Sequence, residues 1–429
     1  MRAAFYTLGC KVNQYETEIL AAQFEQSGYE IVSHEETADV YVINSCTVTS
    51  SGDKKTRQIL HRFRRQNPNA IIALTGCFPQ AFPEEAEKIT EADIIRGAQQ
   101  RMKLLDDIHA VQTGGVRIID ITPHSREEQF EKMSAAQFRQ RTRAFVKIED
   151  GCDKYCSYCI IPKARGPIRS KSLDDLASEL KELATNGYQE VVLVGINLSS
   201  YGKDIDLHLI DAVELACATE GIERVRLGSL EPELLSDDDL KRLSVLDKFC
   251  PQFHLALQSG CDATLKRMNR HYTTKEYAEL VAKIRQAFDN PSITTDIMVG
   301  FPGETEEEFS ASLAFAKQIK LAKAHVFAYS KREGTPAAKR PDQIARAVKE
   351  RRSSEMIAAT AQTQKEFLQT QVGRVENVLF ESKVHDYYYE GYTPNYVTVW
   401  VKSETDLSGL ILPVNILSAE SNHCIGELY

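Results

Sequence analysis

The segment Gly151–Pro162 reads GCDKYCSYCIIP and carries three thiols in the spacing C-x3-C-x2-C. Three sulfurs this close can wrap one compact ion or cluster. Three thiolates are one ligand short of a closed tetrahedral site or a fully ligated cluster. On a 4Fe–4S cluster of Cys152, Cys156 and Cys159, the fourth iron would keep a position for a small-molecule ligand. A structural zinc site borrowing a fourth ligand is the competing reading. Tyr158, directly before the third thiol, tilts the balance towards the cluster.

A second trio is scattered. Cys10, Cys46 and Cys77 have no metal-binding spacing, but each follows an expected strand by a few residues: Thr7-Leu8-Gly9-Cys10, Ile43-Asn44-Ser45-Cys46 and Leu74-Thr75-Gly76-Cys77. In an open parallel sheet the carboxyl ends of the strands form one edge, where ligands bind. Three strands would then deliver three thiols to one place, and Gly9 and Gly76 permit tight turns beside them. Three unrelated cysteines, or a redox-active pair, are the plainer alternatives.

These thiols need elements to position them. Strand signals at Ala3–Thr7, Val40–Ile43, Ile71–Leu74 and Ile94–Ile95 alternate with amphipathic stretches, which predicts a doubly wound parallel α/β domain over residues 1–123. A polar stretch, 124–143, reads as a linker. Six further strand–helix units between 144 and 370 predict a partial (β/α)6 barrel, closed by a long helix over Pro341–Thr370. Short alternating runs broken by Gly and Pro over 371–429 predict a small all-β barrel. The fold class expected is therefore α/β with a β tail.

Composition removes other classes. The 429 residues are 42% apolar and 26% charged, which excludes collagen, coiled-coil and disordered readings. No apolar run approaches a membrane span. The start, MRAAFYTLGC, lacks an apolar signal core, so a cytoplasmic protein is expected, with its ten cysteines serving metal or catalysis rather than disulfides. The net charge of −9 argues against a uniformly basic protein but leaves room for basic faces.

C-x3-C-x-aromatic-C at the first strand end of a six-unit barrel resembles the radical S-adenosylmethionine (SAM) superfamily. TLGCKVNQYETE, INSCTVT and TGC narrow this to the methylthiotransferases, and the tail resembles their TRAM domain, a small RNA-associated barrel. GCKVNQYE and CTVT most resemble the branch acting on N6-threonylcarbamoyladenosine in tRNA. Other branches act on isopentenyladenosine or on a ribosomal protein side chain.

The resemblance implies two 4Fe–4S clusters, one on each trio, and SAM as cofactor. It implies that one SAM supplies a methyl group to a sulfide and a second yields the 5′-deoxyadenosyl radical that takes hydrogen from C2 of the adenine. It further implies an electron donor such as flavodoxin or ferredoxin, and a sulfur source. No catalytic side chain beyond the cluster ligands is expected. Tyr158 would lie by the adenine of SAM. Gly195, Asn197, Ser229, Glu231, Gln258 and Asp296, at expected strand ends, are the other candidates for SAM contact.

For RNA, Lys54–Arg65 (KKTRQILHRFRR) holds six basic residues and no acid. Lys54, Lys55, Arg57, Arg62, Arg64 and Arg65 are candidates for the phosphates of an anticodon stem-loop, with Arg165 and Arg169 beyond the cluster loop. Solvated helix faces are the bland alternative. The tail holds three basic residues against eight acidic ones, so it is expected to add shape or stacking, through Tyr387, Tyr388, Tyr389, Tyr392, Tyr396 or Trp400, rather than phosphate affinity. A metal-stabilised RNA-binding protein without catalysis is a reading of a different class.

Overall fold

The computed structural model describes residues 1–133 and 142–429. Its first unit is a six-stranded parallel sheet in the order β2-β1-β3-β4-β5-β6. The strands are β1 (Arg2–Thr7), β2 (Glu30–Val32), β3 (Val40–Ser45), β4 (Ile71–Gly76), β5 (Ile94–Arg96) and β6 (Ile118–Asp120). β3 is buried at every position because apolar clusters cover both sheet faces. The strand order reverses between β1 and β3, so the chain passes a topological switch there. β2 and β6 escaped the sequence reading because three-residue edge strands carry almost no periodicity.

The second unit is an arc of parallel strands: β7 (Arg143–Lys147), β10 (Glu190–Val194) and β11 (Arg224–Leu227), then β12 (Ser229–Leu230), β13 (Gln252–Leu255), β14 (Ser292–Val299) and β15 (Lys323–Ala328). A bridge from Val225 to Phe249 joins the two groups. A short antiparallel pair, β8 (Glu149–Asp150) and β9 (Arg169–Ser170), flanks the cysteine loop. The arc does not close on itself. Helix α1 (Lys11–Gln26) of the first unit lies beside β7, and its Val12, Tyr15 and Ile19 enter the barrel's own core. The expected linker is no loose tether where described: Met133 is buried in that same core, and His124 pairs with Glu128. Residues 134–141 of that stretch lie outside the described residues.

Helix Arg346–Gln369 leads to a closed barrel of β16 (Val375–His385), β17 (Tyr388–Tyr392), β18 (Thr398–Lys402), β19 (Ile411–Ala419) and β20 (Cys424–Leu428), in the order β16-β17-β18-β20-β19. This barrel sits under the floor of the larger one. Arg224 donates to the Tyr392 carbonyl (3.0 Å) and Arg226 to that of Pro394 (2.8 Å). Tyr392 and Tyr396 stack on each other at 4.8 Å, beneath the Arg143 guanidinium. These two tyrosines, expected to be available to bases, are thus engaged in the floor. Among the described residues no helix is long and apolar enough to cross a membrane.

Candidate active site at two cysteine trios

Cys10, Cys46 and Cys77 stand at the carboxyl ends of β1, β3 and β4, across the switch point. Buried polar side chains stitch the three loops together. Asn13 donates to the carbonyls of Leu8 (2.7 Å) and Ser45 (3.0 Å), and the Ser45 hydroxyl donates to that of Thr75 (2.6 Å). Gly9 takes φ +106°, and a Cβ there would meet the Cys46 sulfur at 2.9 Å. The glycine is required by both its backbone and the closeness of the thiol. Burial pushes Cys46 up to about 12, with neighbouring Cys77 adding to the rise, so a metal bound here would displace a proton.

The second trio lies in the loop after β8. The turn at 267–269 clamps that loop, with further ties from Ala337 and Glu233: Ser157 donates to the Met268 carbonyl (2.9 Å) and to that of Arg267 (2.8 Å), while Asn269 donates to that of Tyr155 (3.1 Å). Burial raises Cys159 to about 12. Tyr158 packs with Met268, Met298, Phe301 and Tyr329, which brings the residue before the third thiol to the GFPG turn after β14.

Cys77 of the first trio packs beside the segment that follows the second. Cys77 and Ala81 share an apolar cluster with Ile160 and Ala164, so the helix opened by Cys77 packs on the helix that follows Cys159. Each trio also receives one arginine: Arg165 Nε lies 3.2 Å from Cys77 Sγ, and Arg270 Nη1 lies 3.2 Å from Cys156 Sγ. Among the described residues no three Cys, His, Asp or Glu side chains converge on a single ion. A cubane cluster makes no such demand, because each thiolate binds a different iron. Thiol-only ligand sets with an adjacent cation suit an anionic iron–sulfur cluster.

Arg165 corrects the sequence reading. It is fully buried and reaches Glu16 (2.6 Å), Asn13 (2.5 Å) and Asp150 (3.3 Å). Arg169 is buried with it, facing Asp150 (3.4 Å) and Glu128 (3.5 Å). Neither presents charge to RNA. The basic run looked like a surface stripe because its partners, Glu16 and Asp150, are remote in sequence or read as loop acids. Burial opposes the charge on Glu16, yet Arg101, Arg165 and Lys147 hold it down to about 2. Asp150 is likewise held well below the carboxylate range, burial being overcome by Lys147 and Arg165. Asn13, Glu16 and Arg270 were not singled out from sequence. Only the polar residues on the apolar face of α1 could have hinted at the first two.

Helix α2 (Ser50–Gln66) exposes Lys54, Lys55 and Arg65, which make no ion pair among the described residues. Its other arginines are engaged: Arg57 with Glu85, Arg62 with Glu35, and Arg64 with Asp93.

The residues expected at SAM divide into two groups. Asn197 is buried with its Oδ1 unpartnered, as is Gln258 with its Oε1, and Gln258 adopts φ +63°. The Asn197 backbone N–H donates to Glu149 (2.7 Å), and a Cβ on Gly195 would strike that same carboxyl at 2.6 Å. Burial drives Glu149 well above the carboxylate range. Glu231 pairs with Arg270 beside Cys156. Orphaned polar atoms near the loop are what a polar cofactor would satisfy. Ser229 and Asp296 instead line a cavity of about 500 Å³ in the barrel lumen, with Lys11, His254 and His325.

Comparison with known proteins agrees with this anatomy. The family model described as Uncharacterized protein family UPF0004 matches residues 2–97, and that of the Radical SAM superfamily matches 146–316. The chain is 40% identical to threonylcarbamoyladenosine tRNA methylthiotransferase MtaB of Bacillus subtilis (strain 168), over 97% of this chain and 94% of that protein. It is 36% identical to a tRNA-2-methylthio-N(6)-dimethylallyladenosine synthase of Clostridium novyi (strain NT), over 98% and 95%. Its fold is similar to that of the radical SAM methyltransferase TsrM from Kitasatospora setae, solved with tryptophan and a SAM analogue (TM-score 0.57, 13% identity, 90% of this chain and 79% of that one). The chain belongs to the radical SAM methylthiotransferases.

Proposed function

We propose that this enzyme places a methylthio group on C2 of N6-threonylcarbamoyladenosine beside the anticodon of tRNA. The observation that carries the reading is the packing of the Cys77 helix on the helix that follows Cys159, with Arg165 of that second helix reaching Cys77 Sγ. A methylthiolation needs a sulfur donor and a means of opening an unreactive C–H bond within one cavity. The 40% identity to MtaB supports the substrate.

In this reading Cys152, Cys156 and Cys159 hold one 4Fe–4S cluster, and Cys10, Cys46 and Cys77 hold a second. When bound, SAM and these clusters supply the methyl group, the radical that removes hydrogen from C2, and the sulfur. This chain's residues orient and shield. Asn197, Gln258 and Glu231 hold the polar parts of SAM, Tyr158 borders its adenine, and Gly195 lets the backbone come close. Arg165 and Arg270 each donate to one cluster thiolate. Lys54, Lys55 and Arg65 engage RNA phosphates. An external one-electron donor and a sulfur source complete the turnover. Mass spectrometry of tRNA nucleosides from cells with and without the gene tests this. Loss of 2-methylthio-N6-threonylcarbamoyladenosine is expected. Loss of the methylthio isopentenyl nucleoside instead would move the enzyme to the other tRNA branch.

A further inference from the structure

The lumen cavity takes its walls from all three units: Lys11 from the first, β13 to β15 from the second, and Tyr392, Asn395 and Tyr396 from the third. Its volume, about 500 Å³, falls in the range of small-molecule sites. Its chemistry is lopsided. Lys11, Lys323, His254 and His325 line it with one carboxylate, Asp296, which lies 3.5 Å from His254 Nε2; outside the lining, Glu190 and the guanidinium groups of Arg143 and Arg226 also act on Lys11. Among the described residues the Lys11 ammonium makes no ion pair; its neighbour is the Phe145 ring, 5.9 Å away. An ammonium in such a pocket calls for an anion.

The register says where that anion belongs. Asp296 pairs with His325, and Met298 with Phe327, one step nearer the carboxyl edge. Phe327 is 39% exposed on the strand face that bears His325, roughly 7 Å further along β15. Met298 belongs to the group around Tyr158, beside the third thiol. From floor to rim the order is therefore cation, aromatic ring, cysteine loop. A purine stacked at Phe327 would turn C2 to the loop while the substituent on C6, two ring positions away across N1, runs down into the cavity.

We infer that this cavity is a carboxylate subsite, in which Lys11, assisted by His254 and His325, binds the free carboxylate of the threonyl group on the target adenosine and so rejects adenosines with a hydrocarbon at N6. Asp296 accepts from the threonyl hydroxyl. This rests on the substrate reading above. A hydrocarbon would leave the ammonium desolvated and unpaired, and unpaired polar groups discriminate strongly.

The test uses reconstituted holoenzyme and anticodon stem-loops of one sequence bearing N6-threonylcarbamoyladenosine, its carboxyl methyl ester, or isopentenyladenosine. Binding is read by fluorescence anisotropy and product by mass spectrometry. The ester should bind and react roughly 10- to 100-fold worse than the acid with the wild-type enzyme, and about equally with Lys11→Gln. His325→Gln should narrow the same gap less. Equal handling of acid and ester by the wild-type enzyme would overturn the subsite while leaving the substrate reading standing. Product from the isopentenyl stem-loop alone would overturn both. The acid–ester comparison needs no variant, so poor folding of Lys11→Gln cannot obscure it.

Discussion

Cys152, Cys156 and Cys159 share one short loop, whereas Cys10, Cys46 and Cys77 hang from three strands of one sheet. The loop is fastened by the turn at 267–269, by Ala337 donating to the Ser157 carbonyl and by Lys154 with Glu233, all within its own unit. The sheet trio depends on every strand being in register, and on Asn13, Ser45 and Arg165 crossing between loops. The charges differ too. Arg270 is paired essentially with one acid, Glu231, while Arg165 joins Glu16 and Asp150 in a web that spans two units. One ligand set is local and separable; the other is a product of the whole tertiary structure.

Breaking one trio at a time tests this most sharply. Anaerobic reconstitution should give about eight iron per chain, falling to about four in either Cys46→Ala or Cys156→Ala. Only Cys46→Ala should keep SAM cleavage while losing methylthio transfer. Iron stopping at about four in the wild type would remove the second cluster. Next in size, Arg165→Met takes one of three cations from each of two buried carboxylates, Glu16 and Asp150, together with the hydrogen bond to Asn13, and should cost about 3–5 kcal/mol in denaturant unfolding. Arg270→Met frees one part-buried acid and should cost about 1–3 kcal/mol, leaving iron on the sheet trio intact. Equal costs would erase the contrast drawn here.

Acid gives a third handle. Glu16 titrates at about 2 in the folded chain, below its ordinary value, so its stabilisation is present above about pH 4.5 and drains away as pH falls towards 2. Asp150 acts in the same sense, whereas Glu149, pushed up by burial, acts oppositely. The unfolding midpoint should therefore drop across that window, and Glu16→Gln should flatten the drop. A slope unchanged by this variant would deny the web its role. The smallest effect belongs to the surface: Lys54→Glu with Lys55→Glu should reduce the salt slope of tRNA binding by about two without altering iron content. Deleting 371–429 should leave most of that slope, since Arg374 is already paired with Asp289 and Glu376.

The same contrast explains what could be read from sequence. The loop trio is a contiguous motif, and the long buried strands β1, β3 and β4 place the other thiols at their ends by simple alternation with helices. The chemistry-bearing interior was harder. Arg165 and Arg169 sit in a run of basic residues, and nothing local distinguishes a guanidinium bound to a buried acid from one awaiting phosphate. Lys11 is one residue from a recognised cysteine, yet its direction into the lumen depends on how α1 docks beside β7. Tyr392 and Tyr396 looked like base-stacking rings because their true partners, Arg143 and Arg226, lie on another barrel.

The seam held by Glu16 has a bearing on ancestry. Its carboxylate is shared by Arg101 from its own side and by Lys147 and Arg165 from across the boundary. A gene cut between the first two units would leave Glu16 with Arg101 alone on one half, and Lys147 and Arg165 with Asp150 alone on the other, each group exposed to water that neither was built to meet. Covalent continuity is then a condition for keeping the two cysteine trios in fixed relation, and rearrangements of this architecture are expected to shuffle the β tail long before they part the first two units.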